Sequence, residues 1–148
     1  HFQPEKAKKL NIPVKLWKLL HSGEDVVVND NTITPDMVLG APRSPIKISY
    51  VTDTRPVKLI DEVVKNSDLF ICEGMYGDDE QLEGAVEKMH MVFSEAAKIA
   101  LNSNVKELWL THFSPSMPSP EDYLGTAAKI FNNTVIGKDL MSKTLKSQ

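Results

Sequence analysis

The chain has 148 residues, 41% of them hydrophobic and 25% charged. That is the composition of an ordinary globular domain with enough apolar material for one core, and it excludes gross disorder. A formal net charge of -3 excludes a global positive field able to hold a polyanion non-specifically, so any nucleic-acid contact must come from a local patch. The single cysteine, Cys72, excludes an internal disulfide and a Cys-rich zinc finger, and it suits a reducing cytoplasm. No apolar run approaches the ~18 residues needed to cross a bilayer. HFQPEKAKKL carries charges where a signal peptide has its apolar stretch. The first residue is not Met, which leads us to expect a chain that begins partway through a longer protein.

Residues 1 to 45 are polar and broken by Pro4, Pro13, Pro35, Pro42 and Pro45. Within them, EKAKKLNIPVKLWKLLHSG brings Lys6, Lys8, Lys9, Lys15 and Lys18 together with Trp17. Two readings stay open: a phosphate-binding strip with Trp17 available for stacking, or a lysine-rich surface helix with Trp17 packed beneath it. DVVVNDNTITPDMVLG reads as a hairpin turning at Asn29-Asp30-Asn31. From residue 46 the pattern alternates strand and helix. IKISYV is β-branched and apolar and ends at TDTRP, where Pro56 suits the first turn of the helix PVKLIDEVVKN. DLFICEG has the signature of a buried strand; an acidic loop, GDDEQ, follows it, and then a helix of roughly twenty residues running through MVFSEAAKIALNS. VKELWLTHF is the next strand. The loop SPSMPSP leads into the helix EDYLGTAAKIF, with Ser119 and Pro120 as cap and first-turn pair. NTVIGKD is the last strand, before a lysine-rich tail.

A β-hairpin followed by βαβαβαβ predicts an α/β fold with a parallel sheet in its second half. If the helices pack on one face through right-handed crossovers, the other face of this apolar sheet is left bare, although such sheets are normally covered on both sides. The pattern therefore implies a missing layer.

The polar groups fall at strand ends. Asp53 follows the first strand of the α/β part, Cys72-Glu73 the second and His112 the third, all on the edge where open α/β sheets place their ligand sites. Asp carboxylates and His imidazoles are ordinary zinc ligands, and one carboxylate can bridge two ions. Each residue also has a plainer reading. Asp53 can cap the following helix, His112 can bond to backbone at a strand end, and Glu73 can be a solvated loop carboxylate. His90 can be a half-exposed helix histidine beside a core stripe of Met89, Met91 and Phe93.

Several phrases in order resemble ribonuclease Z of the metallo-β-lactamase superfamily. IKISYVTDTRP resembles the block written Ser-Gly-Asp-Thr-Arg-Pro, DLFICEGMYGDD the block with His-Glu-Ala-Thr-Phe, and EKMHMVFSEAAKIA the block around His-Ser-Thr. VKELWLTHFSPSMPSPEDYLGTAAKIFNNTVIGKD resembles the closing segment with Leu-Thr-His-Phe-Ser. The similarity covers nearly all of residues 1 to 140. It implies the C-terminal half of the αββα sandwich of that superfamily, with residues 1 to 24 a remnant of the tRNA-binding arm and residues 25 to 148 the half-sandwich.

The resemblance further implies a zinc-dependent endoribonuclease that removes the trailer from the 3′ end of precursor tRNA. Asp53 would bridge two zinc ions and His112 would ligate one. Glu73 and His90 would be the catalytic pair near the scissile phosphate, orienting it and helping protonate the leaving oxygen. Thr54 and Arg55 would organise the strand-to-helix turn, and the five lysines named above would contact RNA. A cytoplasmic homodimer without membrane attachment is the family expectation. The chain departs from the family in having Cys72 for His, Thr52 for Gly, and Met89, Val92 and Phe93 around His90 for small or hydroxyl residues. Among its four histidines, His1, His21, His90 and His112, there is no His-x-His-x-Asp-His block. An upstream half of the same protein would have to supply that block, and the chain alone is expected to bind zinc weakly and leave RNA intact. Two other readings are a noncatalytic RNA- or protein-binding α/β module, and a related metallo-β-lactamase-fold hydrolase of the phosphodiesterase or arylsulfatase kind.

Overall fold

A computed structural model describes residues 1–41 and 44–147; Pro42, one of the prolines expected to break the amino-terminal stretch, lies outside the described residues. The chain divides into two compact units, one built on His1–Pro45 and the other on Ile46–Lys146.

In the first unit, α1 (Pro4–Lys9), a 3-10 turn and α2 (Trp17–Ser22) precede the antiparallel strands β1 (Val26–Val28) and β2 (Asn31–Ile33), and α3 (Pro35–Val38) follows. The hairpin turns where the sequence predicts. Asn29 and Asp30 take φ of 49° and 61°, the left-handed pair that a two-residue type I′ turn requires. Ala7, Ile12, Leu20, Val26, Ile33 and Val38 form the core, with Phe2 and Trp17 packed against it. Trp17 donates its indole N–H to the Ile12 carbonyl at 3.0 Å, and its ring lies 5.2 Å from that of Phe2. Trp17 is thus packed rather than presented for stacking. Lys6, Lys8, Lys9, Lys15 and Lys18 are all exposed, and Lys8 pairs with Glu5 at 3.0 Å.

In the second unit, β3 (Ile48–Val51), α4 (Lys58–Val64), β4 (Leu69–Glu73), α5 (Leu82–Glu87), α6 (Phe93–Asn102), β5 (Leu108–Thr111), α7 (Leu124–Ala128) and β6 (Thr134–Ile136) follow in order. The sheet runs β3-β4-β5-β6, and every neighbouring pair is parallel. Because side chains alternate between the faces of a strand, Phe70, Cys72, Leu108, Leu110 and Ile136 share one face. That face packs on Ile60 and Val64 of α4, Phe93 and the alanines of α6, and Ala127 of α7. On the other face, Ile48 and Tyr50 are 57% and 66% exposed. Part of that face is therefore open, as the pattern of apolar strands implies.

The structure corrects the sequence reading at several joints. The helix of roughly twenty residues predicted from periodicity is instead α5 and α6, separated by Lys88–Val92. His90 lies in that break and not in a helix. Met89 adopts φ of 61°, and the amides of residues 90–93 do not bond to carbonyls four residues back: His90 N–H closes on the Ala85 carbonyl five residues back. Met91 N–H donates to Glu73 and Val92 N–H to the Glu95 carboxylate, while Phe93 N–H donates to the Tyr76 carbonyl. Tertiary hydrogen bonding here overrides local periodicity. Pro56 precedes α4 by two residues and is not in its first turn, since Val57 is the cap. Pro120 does open its turn, as predicted, but Ser119 makes no capping bond through its side chain.

Candidate functional site

The carboxyl ends of β3, β4 and β5 converge. Just past β3 and β5, Asp53 and His112 take φ of 51° and 58°. This left-handed region costs of order 1–3 kcal/mol for a non-glycine residue, and Asp and His enter it more readily than most. Both turns swing the side chain off the strand axis, and Asp53 Oδ1 lies 2.7 Å from His112 Nε2. One potential ligand atom from each of Asp53, His90 and His112 lies within 4.8 Å of the others, and the two imidazole rings are 5.4 Å apart.

Glu73, the last residue of β4, is fully buried. Its Oε1 accepts from Thr54 N–H at 2.5 Å, and its Oε2 accepts from Met91 N–H at 3.0 Å. His90 Nδ1 also lies 3.0 Å from Oε2. An ionised carboxylate only accepts, so the hydrogen-bond network assigns the proton to Nδ1 and leaves Nε2 as the free ring nitrogen. The next residue, Gly74, lets the Phe93 ring approach the strand closely, and a side chain there requires that ring to shift. A Cβ on Gly74 would lie 2.7 Å from the Phe93 ring, and Phe93 begins α6.

Arg55 completes the cluster. Its Nη1 donates to the His90 carbonyl at 2.5 Å and to Glu95 Oε2 at 2.7 Å, and its Nη2 pairs with the other oxygen of Glu95. Glu95 is the participant the sequence reading missed. The signal available was its spacing, three residues after Val92, which matches the Glu of a capping box. Valine has no side-chain acceptor to form the other half of such a box, so the motif is not recognisable as written.

Sequence reasoning placed Asp53, Glu73, His90 and His112 at one site, and the structure brings these four together. Lys6, Lys8, Lys9, Lys15 and Lys18 belong to the other unit. Cys72, which stands where the resemblance would put a His, is in the core beside Phe70 and Leu110 and not among the site groups. Burial pushes its thiol up from the ordinary range, and only the thiolate is a good nucleophile. Iodoacetamide at neutral pH is therefore expected to leave Cys72 unmodified in the folded chain and to alkylate it in denaturant, as read by intact mass.

Beside His112, at the ends of β5 and β6, a cavity of about 300 Å³ is lined by Thr111, Phe113, Gly137, Lys138 and Asp139. Lys138 pairs with Glu121 at 2.8 Å, and its hydrogen bond holds the Glu121 carboxyl below the usual carboxylate range.

As donors, one carboxylate and one or two imidazoles within this spacing fit part of a zinc ligand set. A zinc ion with its usual four ligands at ~2.0–2.2 Å would need further groups beyond these.

Comparison with known proteins sets this geometry in context. The chain is 52% identical over 144 residues to ribonuclease Z of Clostridium kluyveri and 51% identical over 144 residues to that of Clostridium acetobutylicum. Each match takes in 97% of this chain but only 48% and 47% of those proteins, so the chain spans about half the length of the curated relatives it matches. Among solved structures, the metallo-β-lactamase fold protein YhfI from Bacillus subtilis superposes with a TM-score of 0.54 at 26% identity, over 62% of this chain and 36% of that one. No family model matches the chain. The parallel sheet with its covering helices is thus a portion of the metallo-β-lactamase fold.

Proposed function

We propose that this chain, a homologue of ribonuclease Z over about half of that enzyme's length, forms the C-terminal half of a zinc-dependent endoribonuclease that removes the trailer from the 3′ end of precursor tRNA. The observation that carries the reading is the meeting of Asp53 and His112 at 2.7 Å beside the buried Glu73 and its partner His90. Asp53 and His112 would hold the metal, Asp53 bridging two ions and His112 ligating one. An upstream His-x-His-x-Asp-His segment would complete the ligand set and supply the layer over the open face around Ile48 and Tyr50. Bound zinc in such a site supplies Lewis-acid stabilisation and lowers the pKa of water.

This chain's own residues do the rest. Glu73 fixes the His90 ring through Nδ1, leaving Nε2 to contact a phosphate oxygen and hold a proton for the departing 3′ oxygen. Hydrolysis then leaves a 3′ hydroxyl on the tRNA. The exposed lysines of the first unit would bind tRNA phosphates. A homodimer in the cytoplasm, in which one subunit's arm serves the other's site, belongs to the same reading. Among the described residues, no helix is long and apolar enough to cross a membrane.

A second reading, a related metallo-β-lactamase-fold hydrolase of smaller phosphodiesters, is compatible with the same fold, which YhfI shares. The chain joined to its upstream segment and loaded with zinc is expected to cut precursor tRNA and release the trailer. Cleavage of bis(p-nitrophenyl) phosphate with no cleavage of precursor tRNA would select the second reading. The isolated chain, with its partial ligand set, is expected to show only weak heats of zinc binding in isothermal titration. Submicromolar affinity at two sites would overturn the division of ligands between the halves.

A further inference from the structure

Consecutive residues of the turn after β3 each reach a different element. Asp53 meets His112 at the end of β5, Thr54 N–H meets Glu73 at the end of β4, and Arg55 crosses to the segment that opens α6. The last of these links has the most to hold. Between α5 and α6 the sequence continues a helical period, yet the chain breaks, with Met89 in the left-handed region. The guanidinium supplies a donor to the His90 carbonyl. The same group grips both oxygens of Glu95, and Glu95 in turn accepts from Val92 N–H at 3.1 Å. Arg55 and Glu95 are 18% and 16% exposed, so the pair is largely withdrawn from water, where a bidentate guanidinium–carboxylate contact is strong and geometrically demanding.

We propose that Arg55 is a positioning residue for His90. By binding the His90 carbonyl and the Glu95 carboxylate together, it holds residues 88–92 out of helix and so fixes the imidazole where Glu73 can orient it. Arg55 touches no reacting atom in this scheme. It acts through the backbone of the residue that does.

The kinetic consequence rests on the function proposed above, whereas the conformational one does not, and the experiment separates them. In the zinc-loaded protein with its upstream segment, Arg55→Ala is expected to lower kcat for precursor tRNA by about 10²-fold, the scale of a misplaced catalytic group. KM and zinc content should stay within about twofold, because uniform binding is untouched. Arg55→Lys keeps the charge but not the fork, and should recover part of kcat. An unchanged kcat, or parallel collapse of kcat, zinc content and folded fraction in both variants, would overturn the proposal. In the 148-residue chain, amide exchange of Met91 and Val92 should accelerate about tenfold in Arg55→Ala while Phe70 and Leu110 hold their protection, as expected of local opening. Unchanged exchange at Met91 and Val92 would overturn the clamp. If the unsubstituted protein fails to cut precursor tRNA, the functional reading falls and the exchange result alone decides the clamp.

Discussion

Glu73→Ala is expected to destabilise the second unit by about 3–5 kcal/mol, the scale of three hydrogen-bond donors losing one buried acceptor group. The carboxylate has no exposed surface, and its loss strands the amides of Thr54 and Met91 together with His90 Nδ1. A stranded buried donor costs about 1–3 kcal/mol, so these groups account for the total without any contribution from the cavity. Glu73→Gln should lose less, since the amide oxygen still accepts, but its NH2 faces a donor and cannot satisfy all of them. Urea unfolding reads both variants, and an unchanged m-value would tie the shift to stability rather than to a change in the unfolded chain. A loss below about 1 kcal/mol for the alanine variant would mean that water reaches these amides.

The second large effect is kinetic. In the zinc-loaded protein carrying its upstream segment, His90→Ala should reduce kcat for precursor tRNA by about 10²–10⁴-fold, the range for removing a general acid. Its zinc content should match that of the unsubstituted protein. Asp53→Ala should instead lose metal, and activity with it. Metal analysis alongside the kinetics makes the contrast decisive, because His90 lies close enough to Asp53 and His112 to offer a ligand atom of its own. Zinc lost from the His90→Ala protein would reassign that residue from proton donor to ligand.

The sequence revealed the parallel sheet and the edge where polar groups gather because both depend on local signals. Apolar strands alternate with helical periods, and the residue ending each strand is read directly from its place. The turn at Asn29-Asp30 was equally legible, since few residue pairs tolerate its backbone. The break around His90 was not. Apolar spacing from Leu82 to Leu101 continues without punctuation, and the groups that interrupt the helix come from Glu73, Tyr76 and Arg55, remote in sequence. Glu95 was missed for the same reason, its partner lying forty positions away. Trp17 was ambiguous because an indole beside lysines suits stacking or packing equally, and only the Ile12 carbonyl decides between them.

The left-handed backbone at Asp53 and His112 narrows what either position can become. Valine, isoleucine or threonine there would clash with its own main chain before any chemistry was lost. Asparagine would keep the shape at Asp53 while surrendering the charge, and glycine would suit either turn while removing the side chain altogether. The repertoire at these two joints is therefore set by conformation first. A relative with a β-branched residue at either place must have rebuilt the end of that strand.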